Sequence, residues 1–244
     1  MLKQYNNPQT WLVVIWLIIS SCSVIDKEKV IKIYSKVPDC PKNIDIPRYK
    51  QSGFFYDFPF SFWHWSKQKE KQLGLQSAEC SNDSLIFRVW ISNFGSKKHQ
   101  PHGLIEIRRD SSSFYGKLIL FYVDFNEREM TEVVTESTSF DLTPLKSNWS
   151  SIVDSLKAYK FDELPTDEFI PGYYKQDEGY LNNSTTYSFE YATRECYRFY
   201  QYNQFYVKVD EFWQARSVSD ILHLLNKEFE WDRRGWEYFN PTSK

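Results

Sequence analysis

Leu85-Ile-Phe-Arg-Val-Trp-Ile91 is a seven-residue run of branched and aromatic side chains broken only by one arginine, and three more runs of the same texture follow it. These are Leu104-Ile-Glu-Ile-Arg108, Tyr115-Gly-Lys-Leu-Ile-Leu-Phe-Tyr-Val-Asp-Phe125 and Glu132-Val-Val-Thr-Glu-Ser-Thr-Ser-Phe140. Each is bounded by Gly, Asn, Asp, Ser or charged turn residues, at the spacing of a meander, which predicts an antiparallel sheet. Working outward, Thr143-Pro144 offers a cap and a first-turn proline. Leu145, Trp149, Ile152, Val153, Leu156 and Tyr159 then fall on one face at helical spacing, predicting a helix over 144–159. Thr185–Tyr191 and Tyr197–Tyr202 read as a hairpin. A second helix beginning near Ser217 aligns Val218, Ile221, Leu222, Leu225 and Phe229. The expected fold is α+β: an antiparallel meandering sheet with two amphipathic helices packed on one face.

The 244 residues suffice for one substantial domain, expected over 53–244, and the 41% apolar fraction suffices for its core. An aromatic fraction of 18% favours strands over helices. A net charge of −2, with neither half of the chain markedly basic, leaves no footprint for phosphate neutralisation, so nucleic acid is not expected as a partner.

Upstream, Trp11–Ile19 is a nine-residue uncharged apolar run, too short to span a bilayer, which takes roughly 20 residues. Lys3 before it and small residues after it make the three-part pattern of a secretory signal peptide, residues 1–21. Ile19-Ser20-Ser21-Cys22 closes the run. It resembles the lipobox of bacterial lipoproteins, a branched apolar residue and two small residues before a cysteine. The resemblance covers only about the first 25 residues. It implies that Cys22 receives a diacylglyceryl group on sulfur and, after cleavage before it, fatty-acyl chains such as palmitate on its amino terminus. Several chains, each contributing about 0.8 kcal/mol per buried methylene, would hold the protein on a membrane. The implied location is the bacterial cell envelope, on the periplasmic or surface side. Residues 22–52, with prolines at 38, 41 and 47, then read as lipidated cysteine and tether. The alternative is a plain signal peptide cut near Ser21–Ser23. N-x-Ser/Thr triplets at Asn82, Asn148, Asn182 and Asn183 leave a secreted glycoprotein as a competitor.

With Cys22 lipidated, Cys40, Cys80 and Cys196 remain, allowing one disulfide, preferably Cys40 with Cys80, with Cys196 a buried small hydrophobe; the alternative is no bridge at all. Phe54–Trp65 packs eight aromatics into twelve positions and is followed by Ser66-Lys-Gln-Lys-Glu-Lys-Gln72, which reads as a docking segment ending in a solvated helix or turn.

Chemistry-bearing motifs are sparse. His99 and His102 lie three apart in a Pro-containing loop with Glu106 beyond. Zinc wants three or four converging ligands, so no metal is expected there, and no cofactor either. There is no nucleophile elbow and no Gly-rich phosphate loop, and the adjacent acids Asp162/Glu163 and Asp177/Glu178 read as solvated. The remaining signal is aromatic. Tyr173, Tyr174, Tyr180, Tyr202 and Trp213 are the candidate binding residues, either for a protein or glycan partner or as ordinary core aromatics. Pro165–Asn183 reads as a long loop that could carry a site. The expected role is non-catalytic binding or assembly. The alternatives are a surface hydrolase or glycan-handling enzyme with its site in that loop, and a secreted inhibitor or immunity-type protein.

Overall fold

A computed structural model describes residues 43–46, 58–93, 101–126, 131–174, 185–203 and 205–233, all within the compact unit Pro41–Lys244. Strands β2 (Leu85–Asn93), β3 (His102–Arg109), β4 (Phe114–Asn126) and β5 (Thr131–Leu142) form the expected antiparallel meander. The hairpin β6 (Thr185–Ala192) and β7 (Cys196–Asn203) adds to the other side of β2. A three-residue strand, β1 (Asn43–Asp45), completes the sheet by running parallel to β7. The order is β1-β7-β6-β2-β3-β4-β5, open at both ends. β1 lies within the stretch read from sequence as tether, so part of that stretch belongs to the sheet.

Alternation decides which side chains face which layer. Phe87, Val89, Ile105, Ile107, Leu118, Leu120, Phe189, Tyr200 and Tyr202 line one face. On it lie α2 (Trp149–Ala158), through Ile152, Val153 and Leu156, and α3 (Trp213–Phe229), through Val218, Ile221, Leu222, Leu225 and Phe229. The α+β fold with two amphipathic helices on one face is therefore what the chain adopts. The opposite face carries α1 (Phe58–Gln72), whose Trp65, together with Leu73 just beyond the helix, packs against Trp90, Leu104, Ile119 and Phe121.

Helix boundaries differ from the spacing-based expectation for identifiable reasons. α2 starts at Trp149, not near Pro144, because Asn148 is the cap: its side chain accepts from Ser151 N at 2.9 Å. The preceding segment is drawn to the end of α3 instead. Leu145 N donates to Glu228 O, while Lys146 N and Ser147 N both donate to the Glu228 carboxylate, leaving Leu145 exposed. α3 begins at Trp213, four residues before the expected Ser217. It ends at Glu230, whose left-handed φ of 49° closes the last turn.

α2 needs one glycine beneath it. A Cβ on Gly116 of β4 would lie 2.5 Å from the Trp149 ring, which also stacks on Phe114 and touches Phe229. Gly116→Ala should therefore destabilise the fold by about 1–3 kcal/mol through overpacking. Trp149→Leu in the same chain should recover part of that loss, measured as non-additivity in a double-mutant cycle by chemical denaturation.

Candidate functional site

The charged half of α1 is solvated only at its end, where Lys71 and Gln72 are exposed. Lys69 and Glu70 are buried, as is Ser66, and they sit over the sheet face opposite α2 and α3. The reason is a row of charges on that face. Arg88 in the middle of β2 stands opposite Glu106 on β3 and Glu190 on β6, so one guanidinium lies between two carboxylates on neighbouring strands. Arg88 Nε donates to Glu106 Oε2 at 2.5 Å, and Nη1 lies 3.5 Å from Glu190 Oε2 and bonds to Glu70 on α1. Its Nη2 donates to Gln76 O at 2.7 Å. Lys67 Nζ reaches three carboxylates, Glu70 at 2.9 Å, Glu79 at 3.0 Å and Glu190 at 3.1 Å. Arg108 extends the row to Asp83, donating through Nε at 2.9 Å. Trp90 Nε1 donates to the other oxygen of Glu190 at 2.7 Å.

Burial and pairing set the protonation of this network in opposite directions. Burial alone would depress the Lys67 ammonium, but Glu190, Glu79 and Glu70 together raise it above the usual lysine value. Burial pushes the Glu70 carboxyl up, whereas at Glu190 it is outweighed by Lys67 and Arg88, which hold that carboxyl below the usual glutamate range. These charges pair with one another between α1 and the sheet, an arrangement that fixes a helix on a sheet. Removing one partner leaves the others buried and unpaired, so Arg88→Met should cost about 3–5 kcal/mol. Asp45→Asn, which breaks the exposed Asp45–Arg198 pair (3.0 Å, Asp45 side chain 64% exposed), should cost under about 1 kcal/mol. Urea midpoints of the two variants measure the contrast.

A second polar cluster lies in the 165–174 segment. Its 3-10 turn, Asp167–Phe169, follows Thr166, and both Thr166 and Asp167 are buried against the outer edge of β7. Gln201 N donates to Thr166 Oγ1 at 3.3 Å and Asn203 N to Asp167 Oδ2 at 2.6 Å, so two side chains stand where a further strand would bond. Tyr174 Oη donates to the same carboxylate oxygen at 2.5 Å. Tyr173 packs on Tyr174, Tyr202 and Phe212 at ring-centroid distances of 5.2, 6.2 and 5.0 Å.

Three of the aromatic candidates, Tyr173, Tyr174 and Tyr202, are thus brought together, but Tyr173 and Tyr202 are core residues at 1% and 0% exposure, not a presented face. Burial against α3 and the sheet satisfies their rings. Trp213 stands apart at 47% exposure with Lys160 Nζ 5.0 Å over its ring, and Tyr180 lies outside the described residues. Asp167 was missed by sequence reasoning. Its one cue is its place one residue after Thr166 in a Pro-containing loop.

His102 belongs to β3, not to the preceding loop, and packs against Trp65 and Phe121 at 5.4 and 5.5 Å. His99 lies outside the described residues, and among those described no cluster of His, Cys, Asp and Glu is arranged to hold a metal ion. Glu163 is exposed, as expected, while Asp162 is half-buried and its carbonyl accepts from Arg198; Asp177 and Glu178 lie outside the described residues. Cys196 is a half-buried free thiol, whereas Cys80 is disulfide-bonded. A shallow surface cleft of about 340 Å³, lined by Ser84, Arg109, Ser111, Thr193, Arg194 and Glu195, opens beside the β3–β4 and β6–β7 turns.

Two buried groups give the fold opposing responses to pH. Burial pushes the Asp167 carboxyl up to about 7 from 3.8, so between those values the folded chain holds the proton that the unfolded chain releases. Its contribution to stability is present at low pH and is lost as pH rises toward 7. Burial, then Lys69, pushes His102 down to about 4 from 6.5, so over that span the unfolded chain binds the extra proton. That contribution is lost as pH falls from 6.5 to about 4. The two slopes offset in the native protein. Asp167→Asn should steepen the loss of stability on acidification and His102→Gln should reverse it, each slope up to about 1.4 kcal/mol per pH unit in denaturation midpoints.

Compared with protein-family models, with curated proteins and with solved structures, the chain finds no match in any of the three.

Proposed function

We propose that this chain is an envelope lipoprotein, held on a membrane by lipid at Cys22, whose folded domain has a non-catalytic binding or assembly role. The observation that carries the reading is Ile19-Ser20-Ser21-Cys22 at the end of a nine-residue apolar run. Among the described residues no helix is long and apolar enough to cross a membrane. Lipid would supply the attachment, and the chain between Cys22 and β1 at Asn43 the spacer.

Cysteine parity bears on it. Cys196 is free, and Cys80 is bridged to a partner outside the described residues. A lipidated Cys22 requires it to be Cys40. A disulfide also suits an oxidising compartment outside the cytosol.

The binding reading is supported by Phe169, Tyr206 and Trp213, exposed on the 3-10 turns Asp167–Phe169 and Phe205–Val207 and at the start of α3. Such amphipathic rings suit a protein or glycan surface. The hydrolase alternative places its site in the 165–183 loop, where Asp167 is buried and held by Tyr174 and Asn203; Glu70, Glu79, Glu106 and Glu190, which converge elsewhere, have side chains at most 7% exposed.

Peptide mapping of the membrane-fraction protein without reduction tests the anchor. The expected products are an acylated amino terminus at Cys22 and a peptide pair bridged through Cys40 and Cys80. A Cys22–Cys80 bridge would overturn the reading. Cys22→Ser should move the protein to the soluble fraction with an unchanged melting temperature.

A further inference from the structure

Two turns at one end of the sheet each bring an arginine to the same cleft. At the start of β2, Leu85 pairs with Arg109, the last residue of β3, and Ile86 pairs with Ala192, the last residue of β6. The β3–β4 turn and the β6–β7 turn therefore leave the sheet side by side, about 10 Å apart at two strand spacings, with Ser84 between them. Ser84 N and Oγ both donate to Arg109 O, at 2.9 and 3.0 Å. Each turn is fixed by one of its own side chains. Asp110 Oδ1 accepts from Ser112 N and Ser113 N at 2.7 Å, and Thr193 Oγ1 accepts from Glu195 N and Cys196 N at 3.2 Å. The cleft between them, about 340 Å³, falls at the small end of ligand sites.

The two guanidiniums that line it are unlike most others in the fold. Arg88, Arg108, Arg198 and Arg233 are all ion-paired. Among the described residues no carboxylate pairs with Arg109 or Arg194, and both are exposed. Arg109 lies over the Phe114 ring at 5.1 Å, a contact that uses none of its N–H groups. Arg194 donates only through Nε, to Asn82 O at 3.3 Å. Ser111, exposed on the β3–β4 turn, adds a hydroxyl with no partner among the described residues. Glu195 is the one acid in the lining, and its carboxylate accepts from Thr193 Oγ1 at 3.2 Å. The cleft thus sets two positive charges against one negative, with more free donors than the two oxygens of a carboxylate would accept.

We propose that this cleft is a binding site for a phosphate group, held from neighbouring turns by the Arg109 and Arg194 guanidiniums and by the Ser111 hydroxyl. Guanidinium–phosphate hydrogen bonds are charge-assisted, and the planar fork adds direction to the charge. Glu195 opposes an anion there by like charge, so affinity stays below what the two arginines alone would give. The phosphate belongs either to a free phosphorylated small molecule or to a phospholipid headgroup. The site rests on the folded domain alone and stands whether or not Cys22 carries lipid.

The test is isothermal titration calorimetry of the full-length chain in non-ionic detergent, at constant ionic strength with chloride as background. The probes are inorganic phosphate and a short-chain phosphatidylglycerol. Saturable binding of inorganic phosphate assigns the site to free phosphates, and binding of phosphatidylglycerol alone assigns it to a lipid headgroup. For the probe that binds, Arg109→Gln and Arg194→Gln should each weaken binding roughly tenfold, and Glu195→Gln should strengthen it. Arg216→Gln, which removes the same charge from an exposed position on α3, should change nothing. Melting temperatures of all four variants should match the native chain. No saturable binding of either probe, an affinity unchanged by both cleft arginine substitutions, or an equal loss in Arg216→Gln would each overturn the proposal.

Discussion

A guanidinium buried in the middle of a sheet has to be neutralised on every side, and Arg88 is. Glu106 and Glu190 flank it on neighbouring strands, Glu70 descends on it from α1, and the Gln76 carbonyl takes its remaining amino group. Because β2 is the central strand, this one side chain ties the meander, the β6–β7 hairpin and the helix into a single arrangement. Lys67 does for Glu70, Glu79 and Glu190 what Arg88 does for its partners, so Glu70 and Glu190 each pair with both cations. Such networks contribute little net stability compared with a well-packed apolar layer, but they are intolerant of loss. Their effect is to specify which helix covers this face, and in which register.

The other face works by a different principle. Leucine, isoleucine and phenylalanine side chains from α2 and α3 meet a nearly unbroken apolar surface, where area removed from water dominates. Shape still matters locally, as at Gly116, where the Trp149 ring occupies the space a methyl group would need. The fold is therefore a sheet with one oily side and one side on which an ionic row adjoins a smaller apolar patch around Trp90, and the two layers of helix are held by different balances of force.

This division explains what could be read from the sequence. The strands β2 to β7 and the burial of Ile152, Leu156, Ile221 and Leu225 follow from spacing, because on the oily side period and burial agree. The ionic side hides. A run such as Ser66-Lys-Gln-Lys-Glu-Lys-Gln72 has the composition of a solvated surface, since charged residues are seldom buried unless paired, and the partners lie on strands up to 123 residues away. The cue that was present is that Arg88, Glu106 and Glu190 are each flanked on both sides by apolar or aromatic residues, Phe-Arg-Val, Ile-Glu-Ile and Phe-Glu-Tyr. Of the aromatic candidates, Tyr173 and Tyr202 take the core reading and not the binding one. Tyr173 and Tyr202 have polar tips that suggest a surface, but their rings fill the core.

The position of β2 also governs the order in which the molecule can be completed. Val89 pairs with Phe189, and Arg88 meets its second strand carboxylate only at Glu190, so a chain emerging amino terminus first must present half of its central strand unpaired until the hairpin follows. The meander from β2 to β5 can form early from local contacts, yet it carries an open apolar edge and an under-neutralised guanidinium for the whole of that interval. A folding intermediate of this kind invites pairing with the wrong strand. The last third of the chain is thus the part that closes the fold, and any truncation before β6 leaves the central strand as an edge.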